Sequence, residues 1–138
     1  MKLGVFTVLF SHKSLDDMLK DVSAKGLEAI ELGTGGFPGN AHCPIDELLN
    51  DRVALQRFKQ KIADYGLMIS ALSCHANPLH PQKEIAAAAD ALLDKTIRLA
   101  AELGVQVVNT FSGCPGDHEG ALYPNWPVTP WPHDFQEV

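Results

Sequence analysis

The sequence predicts an α/β fold of parallel (β/α) units, four in number, as in the first half of an eight-stranded (β/α)8 barrel. Three observations predict it. Strand-like and helix-like patterns alternate along the chain, which implies right-handed crossovers and a parallel sheet. Gly26, Gly66 and Gly104 each stand at a helix end, directly before a strand pattern. Their spacings of 40 and 38 residues are the period of one strand–helix unit. The loops after the strands are long, and a whole barrel takes about 250 residues against the 138 present. A small doubly wound sheet is the alternative arrangement of four such units.

The first strand is expected over Lys2 to Phe10, where Leu3, Val5, Phe6, Val8, Leu9 and Phe10 form a nearly continuous apolar run. Continuous rather than alternating apolarity suits a strand covered on both faces. Ser14, with Asp17 three residues on, caps a helix whose apolar stripe is Leu15, Met18, Leu19 and Val22. Glu28 to Leu32 is the second strand. A glycine-rich loop (Gly33, Gly35, Gly36, Gly39) and a short turn at Pro44 to Leu49 follow it. A helix over Arg52 to Tyr65 buries Leu55, Phe58 and Ile62, and Leu67 to Ser73 is the third strand. The longest helix spans Lys83 to Leu103, and Val105 to Phe111 is the fourth strand. The tail from Gly113 holds five of the nine prolines and both tryptophans, which suits a structured loop over a site better than a linker. Asp134 and Glu137 have the spacing of a helix cap and its reciprocal carboxylate. A helix opening there marks residues 1–138 as a single incomplete domain, cut inside a larger one.

Composition narrows the function. The chain is 46% hydrophobic, so it can bury a core. No apolar run is long enough to span a membrane, and the N-terminus enters a strand without a signal-peptide pattern, so a cytoplasmic location is the expectation. The net charge of -6, with scattered lysines, disfavours nucleic acid as a partner. Lys59 and Lys61 suit a solvated helix face. Three cysteines, Cys43, Cys74 and Cys114, argue for reduced thiols.

The reactive residues cluster. In a parallel sheet wrapped by helices, the loops at the carboxyl ends of the strands form the site. Those loops hold His12, His42, His75, His80 and His118 and all three cysteines, while the opposite loops hold ordinary caps. His75 can bind a hydroxyl, ligate a metal or move a proton; the plain alternative is a histidine bonded to its own loop. Glu31, at the end of a strand, needs a partner or a ligand; a salt bridge to a neighbouring strand would also serve. The glycine-rich loop could cradle a phosphate, but a tight loop needing positive φ is the favoured reading. The cysteines and histidines could converge on zinc, though no ligand spacing supports it and buried apolar thiols are commoner. Asp117 can contact a ligand or form a turn. Trp126 and Trp131 can stack on a sugar ring or pack the loop.

Several strings resemble a known family. They are the opening Lys2-Leu3-Gly4-Val5-Phe6-Thr7, Ile30-Glu31-Leu32-Gly33-Thr34-Gly35-Gly36 and Gly39-Asn40-Ala41-His42-Cys43. Further on come Leu72 to Pro81, Thr110 to Asp117, Tyr123-Pro124-Asn125-Trp126-Pro127 and Trp131-Pro132. The chain resembles the sugar phosphate isomerase/epimerase family, with its xylose-isomerase-like TIM barrel, over the first half of a family member. The resemblance implies a sugar or polyol substrate and a divalent metal (Mn, Mg, Zn or Co). It places the metal's ligands, two glutamates, an aspartate and a histidine, on later strands, so that none is assignable in this segment. The implied chemistry is proton abstraction next to a carbonyl. His75 and Glu31 are then the candidate catalytic residues. His42, Asn77, Ser112, Asp117, Trp126 and Trp131 are the candidate substrate-binding residues. A lyase or dehydratase of the same fold is the alternative chemistry. The rivals are a non-catalytic sugar-binding or assembly module and a phosphodiesterase of the DNA-repair branch, against which the acidic charge counts. Open strand edges at Val5 and Val107 imply pairing with a missing C-terminal half or a second copy.

Overall fold

A computed structural model describes residues 1–126 of the chain. Four parallel strands form one sheet in the order β1-β2-β3-β4: β1 Gly4–Phe6, β2 Ala29–Gly36, β3 Met68–His75 and β4 Val108–Thr110. The order matters. A doubly wound sheet reverses its strand order part-way, which sends helices to both faces. Here the strands succeed one another without reversal, and right-handed crossovers then lay every helix on the same face. That is the winding of a barrel wall.

The helices are α1 Leu15–Ala24, α2 Ile45–Asn50, α3 Arg52–Asp64 and α4 Lys83–Leu103. Ser14 caps α1, its hydroxyl accepting the Asp17 N–H. Asp51 does the same for α3, accepting from Val53 and Ala54. Gly26, Gly66 and Gly104 close the helices ahead of β2, β3 and β4 with φ of 73°, 72° and 75°, a conformation that costs an L side chain energy.

The core lies between the sheet and its helices. Met18, Leu19 and Val22 of α1 meet Ile30 and Leu32 of β2, Leu72 of β3, Phe58 and Ile62 of α3, and Leu99 and Leu103 of α4 in one cluster. Within it a polar knot joins sheet to helix. The Thr34 hydroxyl bonds the Ser73 carbonyl (3.1 Å) and the Thr96 hydroxyl (2.8 Å), and Thr96 donates to the Leu92 carbonyl (2.9 Å).

Five elements differ from the sequence-based expectation. The first strand ends at Phe6 rather than Phe10, and Thr7–Phe10 is a 3-10 turn. The apolar run is thus not covered on both faces: Leu3 and Leu9 are exposed. The second strand runs on through the glycines to Gly36, so the expected loop is mostly strand. The turn at Pro44 to Leu49 is the helix α2. The third strand reaches His75, and the fourth shortens to three residues. Lys61 also does more than meet solvent, since its ammonium pairs with Asp16 on α1 at 2.8 Å. No helix among the described residues is long and apolar enough to cross a membrane.

Candidate functional site

Strand alternation sorts the side chains. Ile30, Leu32, Thr34 and Leu72 face the helices. Glu31, Ala71, Ser73, His75 and Asn109 take the other face, the one that would line a barrel's interior. Two hydrogen bonds fix this assignment: Ser73 Oγ and Asn109 Nδ2 both donate to Glu31 Oε1, the latter over 3.0 Å. Glu31 is half-buried and Ser73 fully buried. The surroundings are small. Ala71 is the register partner of Glu31 on β3, and Gly33 is the next residue of β2 on the same face. A side chain at Gly33 is prevented by the Gly39 carbonyl, 2.7 Å from where a Cβ would stand.

His75 closes β3, two residues beyond Ser73, which places its backbone about 7 Å further toward the carboxyl rim. Its imidazole lies between two phenylalanines, with ring centroids at 6.4 Å to Phe6 and 4.7 Å to Phe111. Phe111 in turn meets the edge of Trp126 at 5.9 Å. Neither imidazole nitrogen of His75 has a hydrogen-bond partner among the described residues. The alternative of a histidine bonded to its own loop through its ring is not the arrangement found. The backbone is what is tied: the His75 carbonyl accepts the Phe37 N–H at 2.7 Å. Gly36 (φ 68°) passes so close that a Cβ there would meet that carbonyl at 2.4 Å. The glycines of β2 therefore serve close packing, against His75 and against Leu92 of α4, rather than a phosphate.

The other sequence-predicted residues separate into roles. Asn77 ties its own loop to the next one, donating to the Cys114 carbonyl (2.8 Å) and accepting the N–H of Cys114 (2.8 Å) and of Leu79 (3.1 Å). It clamps the loops after β3 and β4 together. His42 is buried, its Nε2 donating to the Lys13 carbonyl at 3.1 Å, which anchors the β2 loop to the start of α1. Ser112 is exposed on the rim. Asp117 is exposed and paired with His118 at 2.5 Å, and that bond holds its carboxyl below the usual carboxylate range. Asp117, His118, Tyr123 and Asn125 line an open groove beyond β4. Trp131 lies outside the described residues, as does the cap at Asp134 and Glu137.

Sequence reasoning missed Asn109, Phe6 and Phe111 as site residues. The signal for Asn109 was available: one amide in the apolar run Val107-Val108-Asn109 must find a partner once half-buried. The aromatic neighbours were hidden because Phe6 reaches His75 across β2, which depends on how the strands are ordered and paired.

Two of the thiols, Cys43 and Cys74, are buried. Burial pushes Cys43 up to about 12 and raises Cys74 as well, the latter opposed by a hydrogen bond to Thr96. Among the described residues no group of three or more His, Cys, Asp or Glu side chains could hold a metal ion. The residues described here do not fit the divalent metal that the resemblance implies.

A family model described as xylose isomerase-like TIM barrel matches residues 19–135. The chain belongs to that family. Among xylose isomerase-like barrels and other known proteins it is similar to YfiH of Bacillus subtilis strain 168, an uncharacterised protein. The two are 32% identical over 140 residues, which is all of this chain and 44% of YfiH. Its fold is similar to that of the probable 3-DHS dehydratase AsbF of Bacillus anthracis (TM-score 0.58, 21% identity, 82% of this chain and 39% of that one). It is also similar to D-psicose 3-epimerase crystallised in the presence of D-fructose (TM-score 0.55, 15% identity, 94% and 40%). At these identities the structural likeness shows the fold. The chain spans less than half the length of each of these proteins.

Proposed function

We propose that the chain carries part of the substrate site of an enzyme that isomerises or epimerises a sugar or small polyol by moving a proton next to a carbonyl. The observation that carries this reading is the open face that bears a held carboxylate, Glu31, and, further toward the carboxyl rim, the imidazole of His75, which has no hydrogen-bond partner among the described residues. An imidazole near neutral pH can take a proton from a carbon acid or a hydroxyl and return it. A carboxylate with two donors on one oxygen can accept a hydroxyl on the other. The aromatic walls beside His75 suit the C–H face of a sugar. Membership of a barrel family that includes the epimerase-like fold supports the class. The metal of the implied mechanism finds no cradle among the described residues, so no step here is routed through it.

Within this reading Ser112 and Asp117 line the rim, Trp126 backs the aromatic wall, and Asn77 and His42 hold the loops. A dehydratase or lyase is the second reading, favoured by the likeness to AsbF. It too begins with proton removal next to a carbonyl, so His75 keeps its role. A cytoplasmic enzyme with a small-molecule partner fits both.

The test is His75→Ala in the full-length protein, with D-fructose and D-psicose as substrates. Turnover should fall by about 100-fold or more while the circular dichroism spectrum stays unchanged. Turnover equal to wild type would remove His75 from the machinery.

A further inference from the structure

We infer that Asn109, together with Ser73, is a positioning residue that presents Glu31 Oε2 to a ligand hydroxyl; the inference rests on the sugar reading above. Both donors converge on one carboxylate oxygen, Oε1, from two neighbouring strands. A carboxylate gripped by two donors on one oxygen cannot rotate without breaking both bonds. Its second oxygen is then fixed in direction. Oε2 has no partner among the described residues and is not shut off from solvent, so it is accessible on the open face.

The alternative is that Glu31 merely ties β2, β3 and β4 together. A purely structural tie would gain most by engaging both oxygens; here only Oε1 is engaged, and Oε2 keeps its access to solvent. Half-burial with one oxygen doubly held and the other open is the arrangement of a prepared acceptor. Asn109 is suited to the role because its amide donates from the third strand of the group, beyond the direct neighbour of β2. The carboxylate is thereby held across β3 from a donor level with Ser73.

The experiment measures D-fructose and D-psicose binding to the full-length protein by isothermal titration calorimetry. Wild type is compared with Asn109→Ala, Glu31→Ala and the double variant, each checked for urea stability. Asn109→Ala should weaken binding on the order of 10-fold, the scale of one hydrogen bond to a charged group. In the Glu31→Ala background it should have no further effect, because Asn109 acts only through Glu31. Ser73→Thr, which keeps the hydroxyl, should restore most of what Ser73→Ala loses. Equal weakening by Asn109→Ala in both backgrounds would overturn the inference. So would lower stability with unchanged sugar affinity, which leaves only the tie between strands. If wild type binds neither ketohexose, the sugar reading itself falls and this inference with it. Binding by wild type that survives Asn109→Ala sinks the inference alone.

Discussion

Single residues carry different burdens at this site, and burial tells them apart. Cys43 is fully enclosed, and its thiol is pushed up to about 12 by loss of water. The folded state therefore holds this proton more tightly than the unfolded chain does. Its contribution to stability is intact below the unfolded thiol value, about 8.5, and is lost as pH climbs from there through 12. Urea midpoints should accordingly hold steady up to about pH 8 and decline toward pH 11, and Cys43→Ala should flatten that decline. A decline equally steep in the variant would assign it to other groups. Glu31 and His75 stood out in the sequence because each is a polar residue at an expected strand end; His75 does close β3, whereas β2 runs on past Glu31 to Gly36. Their surroundings were not legible there. That the Glu31 carboxylate is shared between Ser73 and Asn109 depends on register, and register is a property of paired strands rather than of either one.

At the scale of elements, the end of β2 controls the site. Gly36 has φ 68° and lies against the His75 carbonyl. Gly36→Ala should cost about 2 kcal/mol or more, from strain and from the clash with a backbone that cannot yield. Differential scanning calorimetry reads the cost directly, and a melting point equal to wild type would show that β2 can shift. Most elements could be placed from periodicity. The helix α4 has the predicted bounds, since a long amphipathic run closed by glycine is a strong signal. The strands were harder. β1 was expected too long because an apolar run does not reveal where the chain turns out of the sheet into a 3-10 turn. β2 was expected too short because glycines signal loops, and here they mark close packing inside a strand.

The whole molecule is a four-stranded arc with helices on one side. Among the described residues, the other side is the open face that bears Glu31 and His75. β1 and β4 stand at its borders. Leu3 beside β1 and Val107 beside β4 are exposed there. Unpaired borders with apolar side chains seek strands to pair with. The isolated 138-residue chain should therefore associate, and light scattering across a concentration series should give a mass above 15.0 kDa. A monodisperse monomer at all concentrations would mean that the borders are protected. The half-barrel winding expected from uniform units and long loops after the strands is the one found, but the glycines ahead of each strand mark only the repeating unit, and the unreversed order is a property of the paired strands. What the open face recognises was not legible in the sequence, because the partners of its polar groups lie far apart in sequence.

The Asn77 amide has an implication for engineering. It stitches the turn that follows His75 to the turn that follows Phe111, using both its amide nitrogen and its amide oxygen. The two turns thus form one inheritable cassette. Grafting either from a homologue without its counterpart would leave a severed seam, so altered selectivity should be sought by exchanging both at once.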